Sequence, residues 1–375
     1  MKRLSLFIYS MGGGGAERVV SNLLPKLCES YEVHLVMMND TVDYEIPKSV
    51  QTHYIENSAP FENGIKKLLK LPFLANRYKK LSQNLGIEIH FVWMVRPCFI
   101  SAIARSIGLK GLFIFNECST PSVLYKESNF KSKVSKFLLK KLYPKADYIL
   151  PNSLESLEDL ALNFGISRQK MSVLYNATDL NFINKKADES LEFKKPFFLS
   201  VGRLDEGKNH ELLIRAFAKL KRDDVDLIIL GEGILRQNLE NLISELDLKE
   251  SVYLLGFNAN PYKYMANCIS FVFVSKFEGF SNALIEALAC GAFVISSEHK
   301  SGARELLGDN EWGVLVPVND EEATFKAMQK ALDDREWTNS YRAKATKRAE
   351  FFDRYKISEN LMENIENLYK LHYKH

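Results

Sequence analysis

The chain opens with a strand–loop–helix–strand pattern that few folds accommodate. A short apolar run, Leu4–Tyr9, leads into four glycines, Gly12–Gly15, which are followed by a segment of helical periodicity, Ala16–Leu27, and a second apolar run, Glu32–Met38. Apolar runs of this length favour buried strands, and a strand, a helix and a strand in this order form a βαβ unit. The sequence therefore predicts an α/β fold whose parallel sheet is covered by helices.

The same pattern begins again in the second half of the chain. The apolar run Phe197–Val201 is followed by a glycine-containing loop and by the helical segment His210–Leu220. Further strands are predicted at Leu227–Leu230, Val252–Leu255 and Ile269–Val274. We therefore predict two Rossmann-like domains of similar length that face a cleft, which is the expected ligand site.

The polar stretch Asn184–Pro196 lies between the two patterns and is the predicted domain boundary. It gives an amino-terminal domain at residues 1–185 and a carboxy-terminal domain at residues 196–350. The last segment, residues 351–375, is amphipathic and is predicted to be a helix that returns to the first domain.

Charge differs between the two halves. Residues 1–190 carry 25 Lys and Arg against 18 Asp and Glu, a net charge of +7, whereas the remainder carries 25 against 29, a net charge of −4. A basic domain indicates an anionic partner such as phosphate groups, anionic lipid or nucleic acid. No pattern of an RNA- or DNA-binding module is present, so we expect no nucleic-acid partner.

Cysteine usage and hydropathy indicate the kind of cellular compartment in which the chain works. The five cysteines are an odd number and form no C-x-x-C pair, which argues against a disulfide framework or a zinc site and favours a reducing compartment. No apolar run approaches the roughly 18–20 residues that cross a bilayer. We therefore expect any membrane contact to be peripheral.

The glycine loop Gly12–Gly15 lies between a strand and a helix N-terminus, where bare backbone amides and the helix dipole suit a phosphate. Gly12 and Gly14 match the first two positions of the dinucleotide fingerprint G-x-G-x-x-G, but Glu17 stands at the third. Asp40 is placed where the ribose-binding acid of that fingerprint would be. A nicotinamide oxidoreductase and a tight turn without a ligand both stay open on this loop alone.

The segment VGRLDEGKNH carries charges that suit a diphosphate. Arg203 and Lys208 follow a predicted strand, at the sheet edge where ligands bind in open α/β sheets. An arginine fork and a lysine ammonium together can neutralise a diphosphate. The alternative is a mobile loop with surface charges.

The segment FEGFSNALIEALACG places two glutamates around a predicted helix start. Glu278 precedes a helix that Ser281 or Asn282 can cap, and Glu286 lies within that helix. The backbone amides of residues 282–284 can hold phosphate oxygens, and a carboxylate on either side can accept hydrogen bonds from vicinal hydroxyls. A nucleotide sugar has three matching parts: the sugar, the diphosphate and the ribose.

These segments resemble the landmarks of GT-B glycosyltransferases of family GT4, in order and over nearly the whole chain. The landmarks are GGAERV at 14–19, VGRLDEGKN at 201–209, LGEG at 230–233 and FEGFSNALIEALACG at 277–291. Within the family, FIYSMGGGGAERVV, NECSTPSV, LYPKAD, NPYKYMA and HKSGAREL are similar to transferases of bacterial asparagine-linked glycosylation.

The resemblance implies an activity and a place for it. It implies retaining α-1,4 transfer of N-acetylgalactosamine from UDP-GalNAc to an undecaprenyl-diphosphate-linked GalNAc-diNAcBac disaccharide, for protein N-glycosylation. It further implies a peripheral enzyme on the cytoplasmic face of the inner membrane that needs no cofactor and no metal.

The resemblance also implies roles for residues. Arg203 and Lys208 would hold the donor diphosphate, Glu286 the uridine ribose, Glu278 the donor sugar, and the backbone near Asn258 the uracil; Glu278, Arg203 and Lys208 would be the catalytic set. The implied donor-binding residues are Gly14, Gly15, Asn258, Glu278, Gly279, Phe280, Ser281, Asn282, Ala283, Leu284 and Glu286.

The chain departs from the family pattern at one position. Many relatives carry Glu-His where this sequence has Glu117–Cys118, and Cys118 cannot replace a cationic hydrogen-bond donor. Asn116 and Glu117 are the candidates for the polar wall of the acceptor site. For Cys118, a small buried residue at a strand end is favoured over a reactive thiol.

Two basic stretches explain the charge of the first half. Residues 64–86, which Pro72 should divide into two helices, and residues 129–147 interleave lysines with leucine and phenylalanine. Such amphipathic surfaces suit an anionic bilayer or a lipid diphosphate, and solvated helix faces are the alternative. The predicted contacts are Lys66, Lys67, Lys70, Arg77, Lys133, Lys136 and Lys140.

The run Asp223–Asp226 is not an Asp-x-Asp metal site, because it is predicted to lie in a turn between a helix and a strand.

Three other activities remain open on the residues alone. Another GT4 transferase with a different sugar or acceptor, as in lipopolysaccharide or capsule synthesis, is the first alternative. A UDP-sugar epimerase on the same architecture is the second, and a nicotinamide oxidoreductase is the third.

Overall fold

The computed structural model describes residues 1–57, 64–126, 129–193 and 195–374. The chain divides into two compact units. The first unit comprises Met1–Ala177 with Arg354–His375, and the second comprises Thr178–Asp353.

The first unit is a parallel six-stranded sheet with helices. Its strands are β1 Lys2–Ile8, β2 Tyr31–Met37, β3 Gln51–Tyr54, β4 Ile89–Trp93, β5 Leu112–Glu117 and β6 Tyr148–Pro151. Its helices up to residue 177 are α1 Gly15–Ser30, α2 Gly64–Leu69, α3 Leu71–Leu85, α4 Val95–Ser106, α5 Pro121–Leu124, α6 Phe130–Leu142 and α7 Leu154–Phe164. The sheet order is β3-β2-β1-β4-β5-β6.

The second unit repeats this architecture. Its strands are β7 Phe197–Val201, β8 Asp226–Leu230, β9 Val252–Gly256, β10 Phe271–Phe273, β11 Val294–Ser297 and β12 Val314–Val316. Its helices are α8 Leu180–Ala187, α9 His210–Ala218, α10 Arg236–Glu245, α11 Tyr262–Asn267, α12 Asn282–Ala289, α13 Ala303–Leu307, α14 Glu321–Asp333 and α15 Arg335–Ala349. The sheet order is β12-β11-β10-β7-β8-β9.

Both sheets have the same strand order when each is counted from its own first strand. The first and fourth strands lie side by side, β1 beside β4 and β7 beside β10. The chain direction of the crossovers reverses there, and open α/β sheets bind ligands outside the carboxyl ends of the strands at this switch point. The predicted α/β class with two Rossmann-like units is confirmed.

The last helix, α16 Arg354–Tyr373, belongs to the first unit. Lys2 forms an ion pair with Glu366, which also accepts a 2.8 Å hydrogen bond from the Tyr31 hydroxyl. The Tyr369 hydroxyl donates to Glu88 at 2.5 Å. These contacts join the helix to the amino-terminal ends of β1 and β2 and to the residue just before β4.

The structure divides the chain at residue 177, before the polar stretch that was predicted as the boundary. Asp179 caps α8 by accepting a 3.1 Å hydrogen bond from the Phe182 amide, and α8 packs on α11 and α12 of the second unit. Asn184–Ala187 are therefore the end of a helix; Lys194 in the same stretch lies outside the described residues.

Candidate active site

Two loops meet at the switch point of the second unit. One loop follows β7 and carries Arg203 and Lys208, and the other follows β10 and carries Glu278. The Lys276 amide donates a 2.8 Å hydrogen bond to the Gly207 carbonyl, which ties one loop to the other. The carboxyl ends of two neighbouring parallel strands thus bring together residues about 70 positions apart.

Lys208 and Glu278 form an ion pair at this edge of the sheet. The two side chains are 17% and 16% exposed, and the Lys208 ammonium also lies 5.0 Å from the centroid of the Phe273 ring. The Asp205 side chain accepts a 3.1 Å hydrogen bond from the Lys208 backbone amide, which fixes the backbone from which the lysine side chain extends. A cation and a carboxylate predicted to bind the same ligand therefore contact each other.

Arg203 lies in the same loop but extends into solvent. Its side chain is 82% exposed and its nearest carboxylate is Asp205, at 3.3 Å. The structure therefore does not bring Arg203 into the Lys208–Glu278 pair. A long exposed guanidinium at this edge of the sheet can reach an anion in front of the strand ends.

Helix α12 begins directly after the second loop. Its N-cap residue, Ser281, makes no side-chain capping hydrogen bond, and the amides of a helix's first turn attract anions. Glu286 is only 6% exposed, so it does not lie on a solvated helix face. Burial and the neighbouring Glu286 charge together raise the pKa of the Cys290 thiol.

The remaining donor-binding candidates of the second unit lie at the same edge. Phe280 is buried, and Gly279 and Asn282 are partly exposed. Asn258 follows β9 in a turn where its side-chain oxygen accepts a 2.8 Å hydrogen bond from the Asn260 amide. The preceding Phe257 is 80% exposed.

Sequence reasoning missed a buried histidine beside these loops. His299 follows β11, the strand next to β10, and its ring meets the Phe273 ring edge-on with centroids 5.8 Å apart. Its side chain is 1% exposed, and burial lowers its pKa to about 4. The available signal was its position: it follows a strand whose carboxyl end lies at the same edge as Lys208 and Glu278.

The glycine loop of the first unit is held by a neighbouring segment and by Glu17. The Met11 amide donates to the Thr41 carbonyl at 3.1 Å, and the Asp43 amide to the Met11 carbonyl at 2.8 Å. Glu17 is the third residue of α1 and folds back over Gly14, where a Cβ atom would lie 2.2 Å from its Oε2. A side chain at position 14 would therefore require Glu17 to move, and burial raises the pKa of Glu17.

Asn116 and Glu117 end strand β5 with buried side chains. Glu117 accepts hydrogen bonds from the Tyr143 hydroxyl at 2.5 Å and the Ser119 hydroxyl at 2.7 Å, while the Asn116 amide donates to the Leu150 carbonyl at 2.8 Å. Burial raises the pKa of Glu117. The structure therefore places both predicted wall residues in the interior of the unit, where their bonds are to the protein.

Cys118 is half-buried beside them, and its Sγ atom donates to the Asn116 side-chain oxygen at 2.9 Å. Burial and the nearby carboxylates of Glu117 and Glu17 raise its pKa well above the ordinary value. A thiol that stays protonated is a weak nucleophile. This environment supports the prediction of an unreactive cysteine.

The first basic stretch forms α2 and α3, which meet at Lys70 with Pro72 in the first turn of α3. Lys70 lies 2.6 Å from Glu56, and Arg77 donates to the Ile55 carbonyl at 2.8 Å. These two cations therefore have partners within the unit. Lys66 is exposed and Lys67 is half-buried.

The second basic stretch forms α6, whose two faces differ sharply. Ser132, Leu139 and Leu142 are buried against the unit. The opposite face is exposed and alternates aromatic and basic side chains at helical spacing. These exposed residues are Phe130, Lys133, Phe137 and Lys140, and Lys136 beside them is half-buried.

Within the described residues, neither a metal-binding cluster nor a membrane-spanning helix is present. No group of three or more His, Cys, Asp or Glu side chains is arranged to hold a metal ion there. Asp226 begins β8 and pairs with Lys195 at 2.7 Å, at the end of the sheet opposite to Lys208. None of the helices in the described ranges is both long enough and apolar enough to span a bilayer.

Two family models cover almost the whole chain. Residues 13–182 match the model of Glycosyltransferase Family 4, and residues 181–349 match that of Glycosyl transferases group 1. Among solved structures, a sucrose-phosphate synthase from Thermosynechococcus elongatus superimposes with a TM-score of 0.85 at 19% identity, covering 99% of this chain and 100% of its own. Anabaena HepE in complex with UDP superimposes with a TM-score of 0.81 at 20% identity, covering 98% and 100%.

Two Campylobacter jejuni proteins are similar along their full length. The N-acetylgalactosamine-N,N'-diacetylbacillosaminyl-diphospho-undecaprenol 4-alpha-N-acetylgalactosaminyltransferase is 55% identical, over 96% of this chain and 99% of its own. The GalNAc-alpha-(1->4)-GalNAc-alpha-(1->3)-diNAcBac-PP-undecaprenol alpha-1,4-N-acetyl-D-galactosaminyltransferase is 28% identical, over 97% and 98%. With both family models matched and the GT-B fold shared, the chain belongs to glycosyltransferase family 4 and is a hexosyltransferase.

Proposed function

We propose that the enzyme transfers N-acetylgalactosamine from UDP-GalNAc, in α-1,4 linkage and with retention, to an undecaprenyl-diphosphate-linked GalNAc-diNAcBac disaccharide. The observation that carries this is the 55% identity, over nearly the full length of both chains, to the C. jejuni transferase named for that acceptor. The second C. jejuni transferase, named for an acceptor with one more GalNAc, is only 28% identical. The shorter acceptor is therefore favoured.

The donor diphosphate is assigned to the switch-point edge of the second unit. Transfer places negative charge on the departing UDP, and preorganised cations and amides aimed at that charge lower the barrier. Lys208 at the end of β7, Arg203 in the same loop and the first-turn amides of α12 supply such groups. In this proposal they act without a metal ion.

Lys208 must change partners when the donor binds. The structure pairs its ammonium with Glu278. A diphosphate carries more negative charge than one carboxylate and would draw the lysine away, which leaves Glu278 to accept hydrogen bonds from the donor sugar. Glu286, eight residues further on, is assigned to the ribose hydroxyls.

Retention is proposed to proceed by front-face attack. The bond between the anomeric carbon and the UDP oxygen breaks, and the acceptor hydroxyl oxygen bonds to the same face of that carbon. The hydroxyl proton passes to a β-phosphate oxygen of the departing UDP, so no separate protein base is needed. Glu278 orients the sugar and stabilises its developing positive charge instead of attacking it.

The acceptor's lipid is assigned to the α6 face of the first unit. Phe130 and Phe137 are 75% and 60% exposed, and Lys133 and Lys140 alternate with them. Aromatic side chains enter the interfacial region of a bilayer, while lysines attract anionic headgroups and diphosphates. The proposal places the enzyme peripherally on the cytoplasmic face of the inner membrane, where a nucleotide sugar and a polyprenyl-diphosphate glycan meet.

A donor panel tests the proposed function. The enzyme is incubated with UDP-GalNAc, UDP-GlcNAc, UDP-Gal or UDP-Glc and a short-chain polyprenyl-diphosphate disaccharide, and the products are analysed by mass. We expect one added N-acetylhexosamine with UDP-GalNAc and release of UDP. No transfer from any UDP-N-acetylhexosamine would contradict the proposal, and conversion of UDP-sugar without acceptor would favour an epimerase.

A further inference from the structure

His299 lies in a hydrogen-bonded network that joins two neighbouring strand ends. Its Nδ1 atom is 3.0 Å from the Ser297 carbonyl oxygen, and the Ser297 hydroxyl donates a 2.6 Å hydrogen bond to the Ser275 carbonyl. Ser275 follows β10 and Ser297 ends β11, so the network lies directly beneath the loops that carry Lys208 and Glu278.

The network fixes which ring nitrogen of His299 carries the proton. A carbonyl oxygen only accepts hydrogen bonds, so Nδ1 must be the donor toward Ser297. Burial keeps the ring neutral near pH 7 because it lowers the pKa to about 4. Nε2 is therefore a hydrogen-bond acceptor.

This acceptor has no partner within the part of the chain that the structure describes. Nε2 of His299 is buried and forms no hydrogen bond with a described group. The buried Ser275 hydroxyl, at the end of the adjacent strand, is likewise unpaired there. A buried polar atom without a partner costs about 1–3 kcal/mol, so a ligand group that donates a hydrogen bond to Nε2 would remove that penalty.

The charged groups around His299 are those assigned to the donor. Glu278 and Lys208 are the two ionised side chains whose charges act on the ring. The lysine chain crosses the end of β7, where a Cβ atom on Gly202 would lie 3.2 Å from its Cδ, and continues over Phe273, which the His299 ring also contacts. His299 and Lys208 therefore pack on the same aromatic ring.

We infer that His299 positions the donor sugar by accepting, at Nε2, a hydrogen bond from an N–H or O–H group of the UDP-linked hexosamine. The inference rests on the proposed function, because it requires that a UDP-linked hexosamine bind at the sheet edge that carries Lys208 and Glu278. A hydroxyl or acetamido N–H of the sugar then satisfies the buried acceptor. UDP alone has no sugar and makes no such bond.

Two substitutions separate this role from packing. H299N keeps an amide near the position of Nδ1, where it can still donate to the Ser297 carbonyl, but removes the acceptor at Nε2. H299Q places an amide oxygen near the position of Nε2. Calorimetry with UDP and with UDP-GalNAc, together with thermal unfolding, is carried out on the wild-type enzyme and both variants.

We expect H299N to bind UDP like the wild type and UDP-GalNAc about tenfold more weakly, with H299Q recovering part of the loss. Equal losses for both ligands, or wild-type binding of both by H299N, would overturn the inference. If H299N does not fold, H299A, which also lacks the Nε2 acceptor, takes its place, and an unchanged ratio of the two affinities in H299A contradicts the role. A wild-type enzyme that binds UDP but not UDP-GalNAc overturns the proposed function itself.

Discussion

Lys208 and Glu278, 70 residues apart in sequence, form an ion pair at the carboxyl ends of the adjacent strands β7 and β10. The pair is compact and mostly shielded from solvent, and each partner is assigned to a different part of the same donor. The two charges therefore neutralise each other, and in the proposed donor complex each side chain would contact the donor instead.

Replacing Lys208 should impair catalysis more than folding. K208A removes a cation aimed at the departing diphosphate, and loss of one such group typically lowers kcat by about 100-fold or more. Steady-state kinetics at saturating acceptor measure this. The matched control is K195A, which breaks the Lys195–Asp226 pair at the opposite end of the same sheet and should keep full turnover. Equal activity losses in the two variants would mean that Lys208 acts only through stability.

Arg203 should matter for activity and not for stability. Because its side chain is 82% exposed, R203A should change the free energy of unfolding by less than about 0.5 kcal/mol. Its turnover should fall about 10- to 100-fold, since a guanidinium is lost from the diphosphate site. R215A removes another exposed arginine, on α9, and serves as the control. A folded R203A enzyme with wild-type turnover would refute the assignment.

Glu286 should be needed for the uridine part of the donor. E286Q keeps the size of the side chain but removes its charge, and hydrogen bonds to a charged group contribute about 1.5–3 kcal/mol. We expect UDP affinity to drop at least tenfold by calorimetry. E211Q, on the exposed surface of α9, should bind UDP normally. Unchanged UDP affinity in E286Q would remove Glu286 from the ribose role.

The exposed face of α6 should bind anionic membranes. Flotation with vesicles that contain phosphatidylglycerol should recover the wild-type enzyme, while F137S and the double variant K133E/K140E should bind more weakly, since they lose apolar area and positive charge. Added salt should weaken the wild type as well. L162S, which removes an exposed leucine from α7 of the same unit, is the control. If F137S and K133E/K140E both bind vesicles like the wild type, the membrane contact lies elsewhere.

A buried histidine should make the first unit acid-sensitive. The His90 Nδ1 atom accepts from the Tyr78 hydroxyl at 2.8 Å, and burial lowers the His90 pKa to about 4, below its ordinary value of 6.5. The unfolded chain therefore binds the proton more readily, so the stability contributed by His90 is complete above pH 6.5 and is lost as pH falls toward 4.

The difference in free energy of unfolding between wild type and H90Q should consequently shrink between pH 6.5 and 4, by up to about 1.4 kcal/mol per pH unit. Urea unfolding followed by circular dichroism at several pH values measures it. A difference that stays constant across this range would show that His90 does not titrate with folding.

The architecture was predictable because the strands of a parallel sheet are buried on both faces and appear as apolar runs. The placement of Lys208 and Glu278 at one edge of the sheet was predictable as well, since each follows a strand and the carboxyl ends of parallel strands share an edge, but their ion pair was not predicted. The exact position of the domain boundary was not predictable from the sequence, because α8 is short and polar and only its Asp179 cap marks its start.

Burial of polar side chains was the other feature that the sequence did not reveal. Glu117 and His299 stand in segments with ordinary composition. Only the fold shows that Tyr143 and Ser119 donate hydrogen bonds to Glu117, and that a His299 ring nitrogen has no partner among the described residues. Apolar strand patterns predict which segments are buried, whereas the hydrogen-bond partners of a buried polar group come from residues distant in sequence.

The most direct test of the central claim is a linkage analysis of the product formed from UDP-GalNAc and a polyprenyl-diphosphate-linked GalNAc-diNAcBac disaccharide. The account predicts a trisaccharide with a single new α-1,4-linked N-acetylgalactosamine, formed by the wild type and lost in K208A. A new β-linkage, or no added sugar with the wild-type enzyme, would contradict it.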